Sequence, residues 1–255
     1  MRSLTFGLGR LHHILSAAVR RRLLRAVLDA GFSAFDVAPA YGNGLNEAEL
    51  GRVLAGSRAA YRITTKYGIP IRLYGPWAGP VFPLVRLIAI AAAAVSGSPY
   101  ARRNFDTRAL ERSVEGSLRR LRTDYIDRLL MHEPLTPLDE SERGELCITV
   151  ERLKREGKIR EFGVAGSAAS IGYVRESVPI DVVQLPLSDA LSISPRRERV
   201  AAYGVYRHYR ASGQSAERDF VSYLRRLIDA NPGLDLIVTS LSPEVVASYA
   251  RALGT

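Results

Sequence analysis

The sequence predicts an α/β fold in which eight parallel strands alternate with helices and close into a barrel. Three observations carry this reading. Short apolar runs alternate with longer amphipathic ones along most of the chain, the pattern of parallel strands joined by crossover helices. The alternation comes close to eight repeats in 255 residues, which favours a (β/α)8 TIM barrel over an open doubly wound sheet. No Gly-x-Gly-x-x-Gly opens a helix after the first apolar run, and Gly7-Leu8-Gly9 is too short to serve as one.

Taken in order, Leu4–Leu8 reads as a strand. Ala17–Ala30 has apolar residues at helical spacing and is closed by Gly31. Ser33–Val37 is a strand, Glu47–Ala55 a helix and Tyr61–Thr65 a strand. Thr107–Leu121 is a helix with Asp106 as its N-cap. Tyr125–Met131 is a strand, and Leu138–Glu156 a helix ended by Gly157. Glu161–Ala165 and Val182–Leu185 are strands flanking a helix at Ala169–Ser177. A short helix at Pro195–Ala202 and a strand at Gly204–Tyr206 follow. The chain then reads as helix Glu217–Asp229, strand Leu236–Val238 and helix Pro243–Ala252.

Composition fits one domain over residues 1–255: 47% of residues are hydrophobic and 24% charged. The single cysteine, Cys147, excludes an internal disulfide framework and fits a reducing, cytoplasmic setting. The first residues contain no long apolar segment ahead of a small-residue cleavage site, so no signal peptide is expected. The net charge is +10, and of the 36 basic residues only Lys66, Lys154 and Lys158 are lysines. Arginine spread over solvated helix faces accounts for this, and with no recognisable binding module we expect no nucleic-acid partner. One stretch, about residues 68–104, falls outside the alternation. Its apolar run at 81–95 is too short and interrupted to span a bilayer. It reads as a helix packed over the barrel mouth, as a hydrophobic substrate lid, or as a contact with a membrane surface or partner.

Four residues then stand out. Asp36 and Tyr41 follow the second strand, Lys66 follows the third and His132 the fourth. In a barrel all four lie at the C-terminal mouth, where this architecture places its chemistry. A free phenol titrates near pH 10 (about) and is a poor neutral-pH acid, but a neighbouring ammonium lowers that value. Tyr41 is thus the candidate general acid and base, with Lys66 tuning it, Asp36 holding Lys66, and His132 orienting a carbonyl. None of the four supplies a hydride, so the chemistry requires a nicotinamide. With one cysteine and no paired histidine spacing, no metal site is expected.

In their order and settings these residues resemble the catalytic tetrad of the aldo-keto reductases. Residues Phe35–Leu54, FDVAPAYGNGLNEAELGRVL, are similar to that family's signature, closest to its sugar and aryl-alcohol dehydrogenase branches. The run Glu151–Val164, ERLKREGKIREFGV, and the pair Val183-Gln184 are similar to segments flanking the nicotinamide site. The resemblance implies NADP or NAD bound without a Rossmann fold, and a small carbonyl, alcohol or sugar substrate. It implies cofactor contacts from Gln184, from Ser167 where Ala165-Gly166 replace the usual Ser-Asn, and from Tyr206 or Arg207 after the seventh strand. Ser240 and Ser242 match the adenosine-phosphate site, where Leu241 and Ala247 stand at the basic positions and Tyr249 at the usual asparagine. A 2′-phosphate loses partners there, leaving NAD and NADP both open. The alternative is a noncatalytic barrel of this family acting as a regulatory or binding subunit.

Overall fold

Eight short strands pair in parallel, each with the next in the chain, until the last closes on the first. The computed structural model describes residues 4–71, 103–193, 197–213 and 217–253. The strands are β1 Leu4–Gly7, β2 Ala34–Asp36, β3 Arg62–Tyr67, β4 Ile126–His132, β5 Ile159–Ala165, β6 Val182–Pro186, β7 Arg199–Tyr203 and β8 Leu234–Val238. The helices are α1 Ala17–Asp29, α2 Leu45–Val53, α3 Thr107–Leu121, α4 Glu140–Arg155, α5 Ala168–Arg175, α6 Leu187–Ala190, α7 Val205–Ala211, α8 Glu217–Ala230 and α9 Pro243–Leu253. The apolar run at 81–95 and most of the surrounding insertion lie outside the described residues. No helix among the described residues is long and apolar enough to cross a membrane.

The period-2 alternation of each strand sorts its side chains into two sets. Phe35, Ile63, Leu129, Met131, Phe162, Val164, Val183 and Leu185 face outward and are buried under the helices. On α3, Leu110, Val114, Leu118 and Leu121 recur at helical spacing and form one of the apolar stripes that pack on the barrel, next to β3. The inward set forms layers. At the mouth stand Asp36, Lys66, His132 and Gln184, all at most 7% exposed. Leu130 and Val182, one inward step below His132 and Gln184 on their strands, cluster with Ala165, which lines the cavity. Toward the N-terminal ends of the strands, Arg128 is 3% exposed and bonds both Asp235 (2.5 Å) and Glu161 (2.8 Å), while Arg62 reaches Asp235 and Arg199 reaches Glu161.

The helix ends follow the capping chemistry that the sequence offers. Asp106 accepts from the Ala109 N–H, as expected, and that bond holds its carboxyl below the usual range. Asp139 and Glu142 form a capping box. One stretch departs from expectation. Of the helix expected at Pro195–Ala202, residues 199–202 lie instead in strand β7, Arg199–Tyr203. Gly204–Tyr206 is not a strand; Gly204, with φ 76°, starts helix α7. Helix propensity of Arg, Glu and Ala in RRERVAA is overridden by pairing with β6 on one side and β8 on the other.

Candidate active site

The loop from β2 to α2 carries Tyr41 into the mouth. The chain turns sharply after it because Gly42, Asn43 and Gly44 all take positive φ (63°, 52° and 86°). Glycine and asparagine are the residues that tolerate this region, so Gly42-Asn43-Gly44 has the composition the turn needs. Gly44 N–H closes the loop on the Pro39 carbonyl at 2.7 Å. Helix α2 is then pinned from beneath. Glu47, fully buried, accepts from Thr65 on β3 (2.7 Å) and from Arg120 on α3 (2.6 Å). Asn46 donates to the Leu8 carbonyl at 2.6 Å.

Asp36, Tyr41, Lys66 and His132 line one cavity of about 270 Å³. The Lys66 ammonium donates to Asp36 Oδ1 (2.7 Å), Asp36 Oδ2 (2.9 Å) and the Val37 carbonyl (3.1 Å). It also lies 5.0 Å from the centre of the Tyr41 ring. The Tyr41 and His132 rings meet edge to face, 5.8 Å apart. Burial works against the Lys66 ammonium, yet Asp36 and Tyr41 outweigh it and the Lys66 pKa is raised. His132 is held well below its ordinary pKa by burial and by the cations Lys66 and Arg103, so it is a neutral imidazole. For Tyr41 burial is the largest influence and raises the pKa; Lys66 pulls it down, Asp36 pushes it up, and the net is upward. Lys66 therefore acts in the direction expected from sequence but does not win. Tyr41 is held as the protonated phenol, the form that donates a proton.

The other residues singled out by sequence divide. Gln184 lines the cavity, and its side-chain amide donates to Asp36 Oδ1 at 2.7 Å. Ser167 does not line it; the hydroxyl is spent as the N-cap of α5, accepting from Ser170 N–H. Tyr206 does not line it either, standing 48% exposed on α7 and packing against Phe220, whereas Arg207 does. Ser240 and Ser242 lie past Thr239, bonded to each other and to the first turn of α9, outside the lining. Arg10, Glu133 and Tyr203 are among the lining residues that went unnoticed in the sequence. Tyr203 ends β7 just before Gly204, an aromatic after an apolar run and before a glycine, which is the same local signal that exposed Tyr41. Its phenol is pushed up to about 12, chiefly by burial. Glu133 has φ 53°, a strained value for a non-glycine residue, and Arg103 fixes it by bonding its carboxylate (2.9 Å) and its carbonyl (3.2 Å). No group of three or more potential metal ligands occurs among the described residues.

The model of the Aldo/keto reductase family matches residues 3–213. The aldo-keto reductase YhdN of Bacillus subtilis is 30% identical over 168 residues, covering 64% of this chain and 42% of that protein. The chain thus matches less than half the length of this curated relative. Among solved structures, the aldo-keto reductase AKR11C1 of Bacillus halodurans superposes with a TM-score of 0.72 at 19% identity, covering 99% of this chain and 87% of that one. An aldo-keto reductase of Klebsiella pneumoniae, solved in complex with NADPH, gives 0.65 at 21% identity over 99% and 86%. At these identities the structural likeness is one of fold.

Proposed function

The chain belongs to the aldo/keto reductase family, and we propose that it is a nicotinamide-dependent oxidoreductase interconverting a carbonyl with an alcohol or sugar hydroxyl. The observation that carries this reading is the convergence of Tyr41, Lys66, Asp36 and His132 on one cavity. In reduction, Tyr41 gives its phenolic proton to the carbonyl oxygen. Lys66 stabilises the phenolate left behind, being held beside it by Asp36. Neutral His132 donates a hydrogen bond to the same oxygen and sets its angle. Oxidation runs the same steps backward, with Tyr41 as the base. The cavity fits a nicotinamide: Gly204 lines it with open space where a side chain would stand, Tyr203 offers a ring at the strand end, and Gln184 offers its amide carbonyl. When bound, the reduced nicotinamide supplies the hydride. The cofactor is NADP or NAD, and the NADPH-bound Klebsiella relative supports the first.

The test is calorimetric titration with NADPH and NADH, followed by turnover with methylglyoxal, a benzaldehyde and an aldohexose. Binding of one cofactor and reduction of any of these carbonyls is expected. The noncatalytic reading draws support from Ala165 at the position of the family's serine and from the use of Ser167 as a helix cap. A folded protein that binds neither cofactor would establish it in place of the enzyme.

A further inference from the structure

The hydrogen bond from Gln184 to Asp36 joins β6 to β2, which stand opposite each other in the closed ring of eight strands. Asp36, Lys66 and His132 come from β2, β3 and β4, neighbours on one wall. Gln184 reaches them from the far wall. Of the two atoms of the Gln184 amide only the nitrogen can donate, so the orientation of the side chain is fixed and its carbonyl oxygen is the acceptor left over. Asp36 Oδ1 is thus shared at equal distance, 2.7 Å from Lys66 Nζ and 2.7 Å from Gln184 Nε2. Both donors are buried, at 2% and 3% exposure, where a charge-assisted bond is strong. We propose that Gln184 is a positioning residue of the proton-transfer site, a strut that holds the Asp36 carboxylate from across the barrel and so fixes where Lys66 sits against Tyr41. This rests on the oxidoreductase reading and adds to it a role for Gln184 distinct from seating the nicotinamide.

The consequence can be measured. The titratable and charged groups facing Tyr41 are Asp36, Lys66, His132, Glu133 and Tyr203, with Arg10 and Arg207 at the rim. Gln184 acts on this set through Asp36. Without its bond the carboxylate keeps more of its charge, draws Lys66 harder and raises the Tyr41 pKa further, making the phenol a weaker acid. Gln184→Met preserves length and bulk but has no amide. The experiment is the pH profile of kcat/KM for methylglyoxal reduction at saturating reduced cofactor, from pH 6 to 11. The expected result is a lower plateau and an alkaline limb displaced upward by about half a pH unit or more, equivalent to roughly threefold in the phenol–phenolate ratio. An unmoved limb, whatever happens to cofactor affinity, would overturn the proposal and leave Gln184 as a cofactor contact only. A second measurement needs no variant. The chain has two glutamines, Gln184 and Gln214, so glutamine-selective 15N labelling gives two side-chain amide pairs. One pair should show a low-field, slowly exchanging proton; two pairs at free-amide positions would also overturn the strut. If the unaltered protein neither binds a nicotinamide nor turns over, the oxidoreductase reading fails by itself, and the amide spectrum still decides whether Gln184 holds Asp36.

Discussion

Replacing Lys66 with methionine separates two things that the ammonium does. It is 2% exposed, bonds both oxygens of Asp36 and lies 5.0 Å from the Tyr41 ring centre. A unit charge at that distance acts with about 3 kcal/mol at an effective dielectric of about 20. Its loss therefore shifts the phenol–phenolate balance on the order of a hundredfold against the phenolate. Carbonyl reduction should slow by roughly ten- to a hundredfold in kcat. The second effect is on stability. Asp36 is 5% exposed and would retain only the Gln184 bond, a buried carboxylate with no countercharge. Such a break costs about 3–5 kcal/mol, on the order of 10 °C in Tm for a chain of this size. The double variant Asp36→Asn with Lys66→Met removes both charges and should recover most of the lost Tm while recovering none of the lost kcat. Thermal denaturation and steady-state kinetics on the two variants check both halves. A double variant no more stable than Lys66→Met alone would refute the buried-charge argument. A double variant that regained turnover would refute the role of Lys66 beside Tyr41.

Other outcomes follow from the same geometry. Tyr41→Phe should lower kcat by about a hundredfold or more with cofactor affinity, read by calorimetry, changed less than about threefold. In the unaltered protein the reduction rate should stay flat through neutral pH and fall only above about pH 10, because burial keeps Tyr41 protonated; a limb near pH 7 in the pH–rate profile would contradict this. His132 has a folded-state pKa depressed below its unfolded value. The unfolded chain therefore binds the proton first, and stability should decline as pH falls below about 6.5, with a shallower slope of Tm against pH in His132→Gln. Gly51→Ala would place a methyl 2.5 Å from the Arg120 carbonyl where α2 crosses α3, and chemical denaturation should register a loss of about 1–3 kcal/mol.

The barrel and its four principal residues were legible because their signals are local. Each strand is a short apolar run with its chemistry at the C-terminal end, so the order of runs fixed both the topology and the converging side chains. The segment after residue 194 was not legible in that way. Val200, Ala201 and Ala202 are buried with no alternation to read, and their neighbours favour helix, so strand β7 exists only because β6 and β8 flank it. Val205 and Tyr206 look like strand residues, yet Val205 and Tyr209 are four apart on the buried face of α7. That shift moved the mouth position from Tyr206 to Tyr203. The Gln184–Asp36 bond spans 148 residues, and the upward pull on Tyr41 comes from burial; neither leaves a trace in a sequence pattern. The tuning expected of Lys66 had the right sign, but its competition with burial depends on three dimensions.

Leu130, Ala165 and Val182 give the β4–β6 side of the barrel interior an apolar face. Toward the other end of the strands, Arg128, Asp235 and Glu161 form a charged cluster whose arginine stays protonated. Along β4 the apolar Leu130 stands between His132 and Arg128 and separates the two charged layers on that strand. A guanidinium that stays protonated passes no proton on, so Arg128 braces the strands rather than feeding Tyr41.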